Sequence, residues 1–102
     1  MASIFTRIAR GEIPCIKVYE NDLTLAFMDI NPASRGHVLV ISKEEHADIH
    51  AIPGDTLAAV ALAAKTVASA IRDALKPDGI NIVQNNGKAS GQEVFHYHVH
   101  LI

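Results

Sequence analysis

The segment His96-Tyr-His-Val-His-Leu-Ile102 places three of the chain's six histidines at every second position. On an extended strand alternate side chains share a face, so His96, His98 and His100 would line one side while Tyr97, Val99 and Leu101 face the other. Three imidazoles are poor core filler, and a solvated face opposite an apolar one more often carries Thr, Lys or Glu. Two kinds of chemistry use such a row. Neutral ring nitrogens at His-x-His spacing ligate zinc, with His37, His46 or His50 available to complete a tetrahedron. Alternatively, the central His98 attacks an electrophile while His96 and His100 orient it or contact the anion, because imidazole titrates near neutrality and is a competent nucleophile. The segment Asn85-Asn-Gly-Lys-Ala-Ser-Gly-Gln92 lies just before the row. Its Gly87 and Gly91 allow backbone amides to approach a ligand, and its Asn, Ser and Gln side chains add donors, which suits a phosphate cradle.

These residues need a frame. Ile4, Phe5, Ile8 and Ala9 fall at helical spacing, which predicts a short helix over residues 3–10, capped by Ser3 and stopped by Gly11. Lys17–Glu20 and Thr24–Asp29 read as a hairpin across Asn21-Asp22, and His37–Ile41 as a buried third strand. Glu44–Ala51 is irregular, with room for one helical turn. From Pro53 to Leu75 runs the strongest helix, with Asp55 near its start, Arg72 and Lys76 near its end and Pro77 beyond. Leu57, Val60, Ala64, Val67 and Ile71 form one stripe, flanked by Ala58, Ala61, Leu62, Ala68 and Leu75, so one small sheet does not bury the whole helix. A second subunit would, with Val60 or Val67 at the seam. Strands over residues 80–84 and 94–102 complete an α+β pattern, an antiparallel sheet crossed by one helix.

The 102 residues at 11.0 kDa suit one domain over residues 1–102. Nine Lys plus Arg against 11 Asp plus Glu give a net charge of −2, with the basic residues scattered, so a nucleic-acid polymer is not the expected partner. The longest apolar run, residues 57–64, falls short of the roughly 18–20 residues that cross a bilayer, and no secretory pattern stands at the N-terminus. The single cysteine, Cys15, makes no internal disulfide, so a reducing cytoplasm is the expected compartment.

The histidine segment matches the His-φ-His-φ-His-φ-φ signature of the histidine triad (HIT) family, φ being apolar, and Gly91-Gln92 just upstream matches as well. So do Ile4-Phe5, Gly11-Glu-Ile-Pro14, Ala26-Phe-Met-Asp-Ile30 and Gly36-His-Val-Leu-Val-Ile41. The chain resembles a bacterial-type member of the HINT-like branch. That resemblance implies an α+β half-barrel with a five-stranded antiparallel sheet, one short N-terminal helix and one long helix, pairing as a homodimer through the long helix and an adjoining strand.

The resemblance also implies an activity: transfer of a nucleotidyl group from a purine nucleoside 5′-phosphoramidate, or a related derivative, to histidine and then to water. Dinucleoside polyphosphate hydrolysis, or nucleotide sensing with weak turnover, are the alternatives. By position, His98 would attack the α-phosphorus, His96 and His37 would support and orient it, and His100, Asn85, Gly91 and Gln92 would handle the phosphate. Asp29 would accept the ribose hydroxyls, and Phe5, Ile8, Phe27 and Ile30 would form the slot for the base. No cofactor is implied. Some relatives hold a structural zinc with two N-terminal cysteines; Ser3 and Thr6 stand at those positions, so no metal is expected. Glu93 replaces a Ser or Thr that lies beside the scissile phosphate in some phosphoramidases.

Overall fold

Strands with apolar side chains on both faces need cover on both faces, and this chain supplies one helix for each. The computed structural model describes residues 2–102. Its elements are α1 (Ile4–Ala9), β1 (Lys17–Glu20), β2 (Thr24–Met28), β3 (Val38–Ser42), α2 (Gly54–Leu75), β4 (Ile82–Val83), a short 3-10 turn (Lys88–Ser90) and β5 (His98–Leu101). The strands form one antiparallel sheet in the order β1-β2-β3-β5-β4. This is the five-stranded antiparallel sheet with one short and one long helix that the resemblance implied.

On one face, Ala26 of β2, Val38 and Val40 of β3, and Val99 and Leu101 of β5 pack with Val60, Ala63, Ala64 and Val67 of α2. On the other, Leu25, Phe27, Leu39 and Ile41 pack with Phe5 of α1. The register settles where the histidines go. His98 pairs with Ile41 and His100 with Leu39, so both imidazoles join the α1 face, while Val99 opposite Val40 joins the α2 face.

Local chemistry sets the boundaries. Ser3 caps α1, its Oγ accepting from Thr6 N at 3.0 Å. The β1–β2 turn closes on Asn21, whose Oδ1 accepts from Leu23 N, Thr24 N and the Thr24 hydroxyl. Lys76 ends α2 in the left-handed region (φ 49°), its N–H returning to Arg72 O before Pro77.

Four expectations need correction. The last strand begins at His98, not Val94: β3 ends at Ser42, and Ser42 O accepts from the side chain of His96 instead of a strand neighbour. The fourth strand shrinks to Ile82–Val83, although Asn81 and Ile102 continue the pairing with two 2.9 Å backbone bonds. Residues 44–51 form no helix; Asp48 Oδ1 accepts from His50 N and Ala51 N in a turn. Val60 and Val67 are 0% and 1% exposed in the core, so neither lies at a helix seam facing outward. Ala58, Ala61 and Leu62 make the exposed side of α2, Leu62 being 67% exposed. By length and composition α2 suffices to cross a membrane, but its buried stripe is committed to the sheet.

Candidate active site

A cavity of about 470 Å³ opens between α1, the β2–β3 loop and the segment before β5. One end is apolar, walled by Phe5, Ile8, Phe27 and Leu39; the other is polar, with Asn85, Gly91, Glu93, His98 and His100, and with Asp29 and His37 alongside. Ten of the residues singled out from the sequence meet here: Phe5, Ile8, Phe27, Asp29, Ile30, His37, Asn85, Gly91, His98 and His100. Ile30, 89% exposed, stands at the mouth and not within a closed slot.

His98 is 6% exposed, and its Nδ1 lies 2.6 Å from the backbone oxygen of His96. A carbonyl only accepts, so Nδ1 keeps the proton and donates it, which leaves Nε2 with a free lone pair. Phe5 packs edge-on against the ring at a centroid distance of 5.0 Å and an angle of 79°, fixing its plane. Burial pushes the His98 pKa below the usual 6.5, so the ring is neutral at pH 7.

The same accounting assigns the next two rings. His37 Nδ1 accepts from Ala33 N at 3.0 Å, so its proton resides on Nε2, 3.0 Å from His100 Nδ1. His37 therefore donates to His100, whose own proton sits on Nε2 as a hydrogen-bond donor at the cavity wall. Burial, with smaller contributions from His98 and His37, lowers the His100 pKa. Asp29 Oδ2 lies 3.5 Å from His37 Nε2, while its Oδ1 accepts from Asn31 N at 2.8 Å. Asp29, His37 and His100 thus bring three potential metal ligands within 4.8 Å of one another. The hydrogen-bond pattern opposes that use, because the Ala33 N–H holds the Nδ1 lone pair of His37 and turns a proton, not a lone pair, toward the cluster.

Two sequence-predicted residues stand elsewhere. His96 is fully buried behind the wall; its Nε2 donates to Ser42 O at 2.6 Å, and its Nδ1 lies 2.7 Å from Ser3 Oγ. It reaches the cavity only through its backbone oxygen on His98. Gln92 is 3% exposed, and its side chain is consumed within the loop: Oε1 accepts from Gly87 N, and Nε2 donates to Ala47 O and Val94 O. It braces the turn containing Gly91 (φ 103°) and presents no free donor to a phosphate. Asn85 makes no side-chain hydrogen bond among the described residues, and its Nδ2 lies beside Gly91.

Sequence reasoning missed Cys15, Leu39 and Val94 in the walls, since apolar residues near a cavity look like core residues. It also missed Glu45. Glu45 Oε1 accepts from Ser3 N and from the Thr6 hydroxyl, each at 2.6 Å, and these bonds hold its carboxyl down at about 2. This network involves Ser3 and Thr6, the positions at which some relatives carry the cysteines of a structural zinc. The donor set does not fit that metal: two hydroxyls replace thiolates, and the Nδ1 lone pair of His96 is engaged with Ser3. His46 Nε2, buried nearby, lies 3.2 Å from Glu44 Oε1 without the alignment of a hydrogen bond.

Comparison with known proteins adds independent findings. The family model described as the HIT domain matches residues 10–102. The adenosine 5′-monophosphoramidase hnt1 of Schizosaccharomyces pombe is 43% identical over 102 residues, covering 100% of this chain and 74% of its own. The adenylylsulfatase HINT3 of Arabidopsis thaliana is 40% identical over 97% of this chain, which spans only 50% of that longer protein. The crystal structure of a HIT family member from Bacillus subtilis superposes with a TM-score of 0.96 at 41% identity, covering 100% of this chain and 72% of its own.

Proposed function

The chain belongs to the HIT domain family, and from that premise we propose that it hydrolyses purine nucleoside 5′-phosphoramidates or closely related nucleoside 5′-phosphate derivatives through a nucleotidyl-histidine intermediate. The observation that carries this reading is the 2.6 Å bond from His98 Nδ1 to the His96 carbonyl, which leaves Nε2 of a neutral imidazole free in the wall of the cavity.

In the first step the Nε2 lone pair forms a bond to the α-phosphorus. The bond from phosphorus to the leaving nitrogen breaks, its electron pair stays on that nitrogen, and the amine departs with a proton from solvent. Water then attacks phosphorus, the nitrogen–phosphorus electron pair returns to His98, and the nucleoside monophosphate leaves while water's proton passes to solvent. The donors at Asn85, His100 Nε2 and the backbone around Gly91 suit the phosphoryl oxygens in both steps. Asp29 suits the vicinal hydroxyls of ribose, and Phe5, Ile8 and Phe27 the base.

A substrate panel followed by phosphorus NMR tests the reading. Release of the monophosphate from an adenosine phosphoramidate is the expected result. Faster turnover of diadenosine polyphosphates would replace it with the alternative hydrolase, and AMP binding without turnover of any compound would make the chain a nucleotide-binding module. Rapid quenching should trap acid-labile label on a peptide containing His98.

A second copy of the chain completes this proposal. On the opposite face a groove of about 700 Å³ runs between α2 and β4, lined by Ala61, Ala64, Ala68 and Ile82 with Lys65 and Arg72 at its side. An exposed apolar strip of this kind, on the helix that mediates pairing in the family the chain resembles, suits a homodimer.

A further inference from the structure

We propose that Glu93 biases the charge of the leaving group this site accepts, favouring a neutral or cationic amine over anionic groups such as sulfate or a further phosphate. The inference rests on the nucleotide reading above and deepens it. Its starting point is an oddity for a site that would bind phosphate. Among the described residues, no lysine or arginine lines the cavity, and its only acidic groups are the two carboxylates of Asp29 and Glu93.

One phosphoryl group with a single negative charge is manageable with neutral donors, and the polar end supplies them from Asn85, His100 Nε2–H and the loop at Gly91. Among the described residues of the cavity wall, a second anionic group has no cation to meet it. Clefts that process polyphosphates ordinarily counter that charge with Lys, Arg or a metal. Here the Asp29–His37–His100 cluster presents a proton in place of a metal-binding lone pair, so that compensation is absent as well.

Glu93 stands where this matters. Asp29 and Glu93 both act on the His100 ring, Asp29 the more strongly, but Asp29 is engaged with His37 and Asn31 on the β2–β3 side, whereas Glu93 shares the wall with Gly91. Glu93 and Gly91 also line a neighbouring surface hollow with Lys88, Gln92 and Phe95, so Glu93 stands on the edge between the cavity and that hollow. A group leaving phosphorus on that side passes the carboxylate. Lys88 lines only the outer hollow, and its opposite charge makes it the natural control.

The experiment compares the wild-type chain with Glu93→Gln and Lys88→Gln at low salt. One arm measures kcat/KM for an adenosine phosphoramidate carrying a cationic amine and for adenylyl sulfate. The other measures binding of AMP and of α,β-methylene ADP, whose terminal phosphate occupies the leaving-group position. Removing one charge at close range should raise the anionic-to-cationic kcat/KM ratio, and the affinity of the diphosphate relative to AMP, by about five-fold each, with the gain shrinking as salt is added. Lys88→Gln should move both ratios the other way, or by less. Ratios unchanged by Glu93→Gln in both arms would overturn the role of Glu93. Loss of turnover on every substrate in the wild type would count against the hydrolase reading alone, because the binding arm still decides the charge question.

Discussion

The two faces of the sheet carry two hollows, and the larger is the chemically poorer. The α2 groove, about 700 Å³, has a largely apolar floor that includes Ala61, Ala64, Ala68, Ile82 and Val99, with Lys65, Arg72 and Asp78 also in its lining. The α1 cavity, about 470 Å³, is lined by three imidazoles: a carbonyl places the proton of His98, the Ala33 N–H that of His37, and His37 in turn that of His100. Volume therefore does not mark the reactive side. Convergent groups with fixed protonation do, since a nucleophile needs a lone pair at a defined place and apolar walls supply none.

The comparison breaks first at His98. His98→Ala should lower kcat by at least about 10³-fold while AMP still binds and the melting temperature changes little, because the nucleophile is removed and the cavity walls remain. Steady-state kinetics beside calorimetry reads this; near-normal turnover would move the chemistry elsewhere.

On the α2 side, adjacent positions should part ways. Val60→Glu places a charge at a site 0% exposed and should leave the chain insoluble or unfolded. Ala61→Glu, one residue on and exposed, should keep the fold and turn a dimer near twice the 11.0 kDa chain mass into a monomer, as light scattering would report. A wild-type monomer at micromolar concentration would reject the pairing.

Behind the reactive wall, Ser3→Ala removes the α1 cap and the partner of His96 Nδ1 together. It should cost about 1 kcal/mol of stability by chemical denaturation, with only a modest loss of rate, since His96 acts on the cavity through its backbone.

The smallest effect sharpens the contrast through pH. Burial lowers the pKa of His96, His98 and His100 below 6.5, so the unfolded chain takes up protons first as acid is added. Stability is then fully present above about pH 6.5 and declines as pH falls toward the lower folded values. kcat/KM should stay level above 6.5 and fall at lower pH as His98 Nε2 protonates. A fall with a midpoint above 6.5 would contradict the assigned environment.

Much of the molecule is determined by the sequence alone. The β-rich apolar runs at residues 24–28 and 38–41, the alternation of histidine with apolar residues at 98–101, and the two-sided apolar pattern of residues 54–75 fix strand and helix, because these patterns are local properties of the chain. The spacing of His98 and His100 likewise dictates that they share a side. What spacing could not decide was where each imidazole ends. His96 leaves the row because β3 stops at Ser42 and the orphaned carbonyl captures its ring. Gln92 turns inward because Ala47 and Val94 offer oxygens that only the folded loop brings near. The free lone pair on His98 rests on a carbonyl two residues away, whereas the donor on His100 and the bonds of Glu45 to Ser3 and Thr6 depend on partners 39 to 63 residues apart along the chain. Tertiary structure alone sets those distances, and hydrogen bonding acts only when they close to about 3 Å.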